Sequence, residues 1–146
     1  MAFASVTRLR VRSLGFMPAF LWYTLRSQRQ VVRAAGFMGG RLLVDSHRTY
    51  WTLTVWDTEQ NMKKFRGAGA HSKVMPKLAN WCDEAGYTHW MPSSDDVPTW
   101  EEAYEKMVSD GKLSRVIHPS PDHTNRQFAK PRLSPPIGQS LTPSRS

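Results

Sequence analysis

Cysteine is almost missing from this chain. The single Cys82 excludes an internal disulfide, and five scattered histidines without a cysteine cluster make no structural zinc site. A reducing, cytoplasmic setting is expected. No run of about eighteen apolar residues occurs, so no membrane span is expected. Phe16 to Tyr23, the longest apolar stretch near the start, contains Pro18 and has no small-residue cleavage pattern after it, which argues against a secretory signal. Acid is scarce at both ends. Residues 1–48 carry eight Arg against one Asp and residues 112–146 six basic against one acidic residue, while residues 49–111 carry six basic against ten acidic. An N-terminus of this kind also fits an organellar transit peptide, but Phe3 to Val11 has a strand alternation that the fold needs. A nucleophile elbow, a phosphate loop and paired carboxylates are absent too; Asp83-Glu84 and Glu101-Glu102 read as neighbours on helix exteriors.

A nucleic-acid reader places Lys and Arg along one element with aromatics between them. Here Arg8, Arg10 and Arg12 alternate on one strand face, and Arg26, Arg29 and Arg33 sit on one helix side. Both read as a solvated basic rim, and no nucleic-acid partner is expected.

What is present centres on Tyr50 to Met75. Tyr50, Thr52, Thr54 and Trp56 alternate with Trp51, Leu53 and Val55, a strand covered on both faces. Asp57 and Thr58 are N-cap residues for a short helix bearing Met62 and Phe65, which Gly67-Ala68-Gly69 breaks just before His71. Upstream, Phe3 to Val11 alternates as a strand. Leu21, Leu25, Val32 and Ala35, widened by Trp22 and Val31, then form an apolar helical stripe ended by Gly36. Phe37 to Asp45 pairs with the central strand as an antiparallel hairpin, with Gly39-Gly40 marking a bulge or a close backbone approach. Val74, Leu78, Trp81, Cys82 and Ala85 predict a second helix closed by Gly86, with Pro76 tolerable only in its first turn. Tyr87 to Met91 is a short strand.

Strand, helix, strand, strand, helix, strand is the α+β, ferredoxin-like order. Two helices cover one sheet face, and a second subunit is expected to cover the other, giving a homodimer. Thr99 and Glu102 form the capping box of an added C-terminal helix over Trp100 to Val108. The domain is expected over residues 1–123, followed by a disordered basic tail over 124–146 rich in Pro, Ser, Gln and Arg.

The runs WTLTVWDTEQNMKKF, GAHSKVMPKLANWCDEA, HW, PTWEEAYEKM and SRVIHPSPDH resemble a family of dimeric α+β barrel proteins that is similar to spheroidene monooxygenase and, more distantly, to antibiotic-biosynthesis monooxygenases. The resemblance spans roughly residues 3–123. It implies a homodimer with a pocket between each sheet and its own helices. It also implies an oxygenase acting on a polycyclic or isoprenoid substrate, either cofactor-free or with haem. In haem-degrading relatives an axial histidine follows the third strand; His71 matches that region.

His71 is therefore a candidate catalytic and haem-binding residue, or else a helix cap. Trp56 is a candidate catalytic residue, and Trp22, Trp51 and Trp90 are candidates to line a cavity for a small apolar ligand; core or interface packing is the alternative for each. His89, on the Tyr87 parity, either faces that pocket or is a satisfied core histidine. His118, Asp122 and His123 are held extended by Pro119 and Pro121, so no metal site is expected. A non-catalytic dimeric ligand-binding or scaffolding module is the rival reading.

Overall fold

The computed structural model describes residues 2–45, 48–131 and 138–143, and only the backbone at Ala70, His71 and Gln139. Its strands are β1 (Phe3–Val11), β2 (Phe37–Asp45), β3 (Thr49–Trp56), β4 (Cys82–Trp90), β5 (Lys112–Leu113) and β6 (Gly138–Leu141), and its helices are α1 (Met17–Val32), α2 (Glu59–Arg66), α3 (Gly69–Trp81), α4 (Trp100–Asp110) and α5 (Pro121–Thr124). The sheet order is β5-β4-β1-β3-β2-β6, every pairing antiparallel. The central β4-β1-β3-β2 run is the expected α+β, ferredoxin-like arrangement.

Alternation along the strands splits the side chains between two layers. On one face Ser5, Thr7 and Leu9 of β1 lie beside Tyr50, Thr52 and Thr54 of β3 and Ala85, Tyr87 and His89 of β4, beneath α1, α2 and α3. On the other, Val6, Leu43, Trp51 and Leu53 pack against Ala103 and Met107 of α4, with Trp100, Tyr104 and Phe128 at the margin. The covering that was assigned to a second subunit is thus supplied by the chain's own α4. Thr99 caps that helix as expected, its Oγ accepting from the Glu102 N–H at 3.1 Å.

Two glycines meet the demands of the β2 hairpin. Gly36 turns the chain into β2 at φ +83°, a left-handed conformation costly for other residues. Gly40 lies directly against the Leu53 carbonyl of β3, with no room for a Cβ. The register shift between Phe37 and Gly39 is the expected bulge.

Several expectations are corrected. The second major helix stops at Trp81, and β4 begins at Cys82. Cys82 and Ala85 are therefore strand residues, Gly86 is mid-strand, and Asp83-Glu84 is not on a helix exterior. Pro76 lies inside α3 and not in its first turn. The chain beyond residue 124, expected to be wholly unstructured, contains β6, which pairs with β2 through Gly40↔Leu141 and Leu42↔Gln139. Leu141 is buried there, and Phe128 packs on the α4 side.

Arg8 is not part of a solvated rim. It is 4% exposed and ion-paired with Glu84, itself 3% exposed; Glu84 also accepts from Arg10 at 2.9 Å and from the Ser120 hydroxyl at 2.8 Å. Ser120 caps α5 by accepting from the His123 N–H at 3.1 Å, and His123 Nδ1 accepts from the Ala85 N–H at 3.3 Å. The SRVIHPSPDH run is therefore a clasp that fastens the chain after β5 to the sheet.

Candidate functional site

A cavity of about 350 Å³ lies between the sheet and α1, α2 and α3, within the usual range of small-molecule sites. Strand register builds its floor. Thr54, Ser5 and His89 form one row across three strands, Thr52, Thr7 and Tyr87 the next, and Tyr50, Leu9 and Ala85 the third. The roof is mostly apolar, with Phe20 and Val31 from α1, Met62 and Phe65 from α2, and Val74 and Leu78 from α3. Tyr23, Thr24, Ser27 and Gln28 of α1 and Arg66 of α2 interrupt that roof with polar groups, so the hollow suits a flat, largely apolar molecule that carries oxygen at its edges.

His89 is the described imidazole in this lining. Its ring lies between Phe3 and Tyr87, with centroids 5.4 and 5.6 Å away. Burial, aided by the charge of Arg66, lowers its pKa below the ordinary 6.5, so the neutral imidazole prevails at pH 7. Neither ring nitrogen is hydrogen-bonded among the described residues, which leaves both for a ligand. Burial raises the pKa of Tyr50, keeping its phenol protonated. Thr54 Oγ1 accepts from Trp56 Nε1 at 2.9 Å, so its own proton is free to donate into the hollow.

The tryptophans expected around a ligand are elsewhere. Trp51 is fully buried on the opposite sheet face, its ring 6.4 Å from that of Tyr104. Trp90 is on that face too, its Nε1 donating to Glu102 at 2.8 Å. Trp22 is 60% exposed on the outer side of α1. Trp56, also fully buried, stands behind the cavity wall between Phe37 and Phe65, at 5.5 and 5.4 Å; it holds Thr54 and Phe65 in place without reaching the hollow. Large rings fill the solid parts of the layers, and small hydroxyl side chains leave the void. His71 lies in the first turn of α3, but its imidazole lies outside the described residues. Sequence reasoning missed the Ser5, Thr7, Thr52 and Thr54 floor, whose signal was a run of small polar residues on the helix-facing parity of two central strands.

A family model described as "Domain of unknown function (DUF3291)" matches residues 10–112. The chain belongs to that family. No curated protein matches the sequence of this DUF3291 member. Among solved structures it is similar to a putative antibiotic biosynthesis monooxygenase from Nitrosomonas europaea, at 14% identity over 63% of this chain and 90% of that one, TM-score 0.56. It is also similar to Rv0793 from Mycobacterium tuberculosis, at 10% identity over 64% of this chain and 97% of that one, TM-score 0.58. A third likeness is to SnoaB, a cofactor-independent oxygenase from Streptomyces nogalater, at 18% identity over 67% and 98% of the two chains, TM-score 0.52. At such identities the likeness is one of fold, and at that level the antibiotic-biosynthesis-monooxygenase resemblance holds.

Of the two possibilities the resemblance left open, cofactor-free or with haem, haem finds no support in this DUF3291 cavity. The described lining offers one imidazole, that of His89, and the side chain of the candidate axial residue, His71, lies outside the described residues. The described residues also hold no group of three or more His, Cys, Asp or Glu arranged for a metal, and no described helix is long and apolar enough to cross a membrane.

Proposed function

We propose that the cavity between sheet and helices is the site of an oxygenase whose substrate supplies its own electrons to dioxygen, with His89 as the general base. The observation that carries this reading is a half-buried imidazole, its pKa lowered by burial, with neither nitrogen hydrogen-bonded among the described residues, on the hydroxyl-bearing floor of the cavity. The likeness in fold to SnoaB, itself a cofactor-independent oxygenase, supports the same class of chemistry.

The substrate class is a flat polycyclic ketone or phenol with an activated methylene. Neutral His89 takes one methylene proton, and the carbanion, delocalised as an enolate, has its oxygen within reach of the Tyr50, Thr52 or Thr54 hydroxyls as donors. Dioxygen adds at the carbon, and the imidazolium returns its proton to the peroxide. Loss of water then leaves a carbonyl. One oxygen atom stays in the product and the other leaves as water with both methylene hydrogens, so no outside reductant is consumed. The apolar part of the roof, Phe20, Val31, Met62, Phe65, Val74 and Leu78, limits the access of water to the carbanion.

Anthrone serves as a probe. Oxygen uptake with labelled dioxygen should place one label in the quinone and one in water, and His89→Gln should keep anthrone binding while turnover falls by about 10²–10⁴-fold. Unchanged turnover in His89→Gln refutes the base assignment. Saturable binding of polycyclic ligands without oxygen uptake by any of them establishes the rival, a non-catalytic ligand-binding module.

A further inference from the structure

The geometry points to the outer face of α1, with the adjoining edge of α3, as a docking surface for an anionic phospholipid bilayer. Leu21, Trp22 and Leu25 are 43%, 60% and 52% exposed, and Leu14 just before the helix is 72% exposed. Helical spacing puts Trp22, Leu25, Arg26, Arg29 and Arg33 on the side of α1 opposite Phe20, Thr24 and Val31. The N-terminal half of this face is therefore apolar and its C-terminal half basic.

Neither α1 nor α3 contains a single Asp or Glu. Lys73 and Lys77 of α3 extend the basic field. Lys77 Nζ donates to the Tyr23 hydroxyl at 2.8 Å and sits 4.7 Å from that ring centroid, while the Arg26 guanidinium is 5.9 Å from it. The Tyr23 phenol is accordingly lowered in pKa, first by Lys77 and then by Arg26 and Lys73, which puts all three cations in one neighbourhood. None of Arg26, Arg29, Arg33, Lys73 and Lys77 is in an ion pair among the described residues. Arg29 and Arg33 also border an open surface depression of about 500 Å³ with Lys64 on its rim, a place for headgroup phosphates.

A bilayer matches both halves of this face. Indole rings settle at headgroup depth, leucines reach the acyl boundary, and arginines meet anionic lipid. A second copy of the chain does not match, because an antiparallel two-fold contact through this patch sets leucines against unpaired arginines and a parallel one sets the arginines against each other. A nucleic acid would meet the cations but leave the leucines exposed. Tyr23 and Met75, which is 42% exposed, belong to both this surface and the cavity lining. Docking therefore turns the cavity's lip towards lipid. Attachment through this face requires no catalysis in the cavity.

The test is co-sedimentation of the full chain with phosphatidylcholine vesicles, with and without phosphatidylserine. Binding is expected with phosphatidylserine and should weaken as salt rises. Arg26→Gln with Arg29→Gln should lower partitioning by roughly thirtyfold. Trp22→Ser with Leu25→Ser should release the protein while its circular dichroism melt stays unchanged, since both residues are exposed. The proposal is overturned if the parent ignores phosphatidylserine or if the Trp22→Ser, Leu25→Ser protein binds as well as the parent. Conversion of a dimer to a monomer by those substitutions overturns it in favour of a second copy. Tight DNA binding that needs the arginines but not Trp22 overturns it in favour of a nucleic acid.

Discussion

Glu84→Gln tests the buried clasp. The substitution keeps the side chain's shape and one acceptor for Ser120 but removes the charge facing Arg8 and Arg10. Arg10 has a side chain 31% exposed and can rehydrate, whereas that of Arg8 is only 5% exposed and already has an unpartnered buried Nε. Removing one member of a buried pair costs about 3–5 kcal/mol, chiefly through the charge left behind. With Arg10 able to reach water and the Ser120 bond kept, we expect the lower end, ~3 kcal/mol, or roughly 10 °C in Tm for a chain of this size. Burial works to raise the carboxyl's pKa, but hydrogen bonds from Arg8, Ser120 and Arg10 and the Arg8 charge outweigh it, and the folded value lies below the ordinary 4.5. The carboxylate's contribution is therefore complete above about pH 4.5 and disappears as pH falls through the depressed folded value. Urea unfolding of parent and variant across pH 7 to 2 should show the full gap at neutrality and convergence only in strong acid. Arg8→Met combined with Glu84→Met should recover most of the loss, because no charge is then stranded. A neutral-pH difference below about 1 kcal/mol, or a gap that persists unchanged in strong acid, refutes the reasoning.

Cys82 is fully buried and its thiol is pushed up to about 12 by burial and then by Asp83; Ellman's reagent at pH 8 should leave it untouched until urea unfolds the chain. Gly40→Ala would drive a Cβ into the Leu53 carbonyl and should prevent folding or destabilise by about 3 kcal/mol. Gly67→Ala, at φ −89° with the nearest neighbour at 3.5 Å, should instead stabilise slightly, by about 0.4–1 kcal/mol in a melt. An NMR titration should place the His89 midpoint below 6.5. That group's contribution to stability is therefore present above 6.5 and lost as pH falls through the lower folded value, and His89→Phe should flatten this part of the stability curve.

The strand order was legible because alternation in β1 and β3 is unambiguous: Ser5, Thr7 and Leu9 against Val6 and Arg8, and Thr52 and Thr54 against Trp51 and Leu53. The start of β4 was not. Val74, Leu78, Trp81, Cys82 and Ala85 fit a helical period, and the competing strand alternation from Cys82 includes Glu84 on a buried face. The arginines of β1 and the Ser120 hydroxyl, all distant in sequence, make that placement tolerable. Arg8 was misread for the same reason, since a buried charge is visible only together with its partner.

The error at α1 has a cause that bears on function. Of the expected stripe, Val31 turns inward and is buried, but Leu21, Trp22 and Leu25 face solvent, and beside Phe20 and Val31 the inward side carries Tyr23, Thr24, Ser27 and Gln28. Apolar periodicity finds the buried face of a helix only where that face packs against solid core. Over a hollow the selection differs, because side chains there must meet a ligand and need not fill space. Polar residues on the inward face of α1 are thus the mark of the cavity, as Ser5, Thr7, Thr52 and Thr54 are on its floor. Burial against this chain's own core cannot account for the leucines and Trp22 outside, and a surface that binds them can. The phase of this one helix is therefore common ground for both proposals, the ligand cavity beneath it and the bilayer-docking face above it. Filling the hollow with Thr52→Phe should abolish ligand binding and leave vesicle binding intact, and Trp22→Ser with Leu25→Ser should do the reverse. If either change disturbs both properties equally, the two faces of α1 are not the independent surfaces that its residue pattern implies.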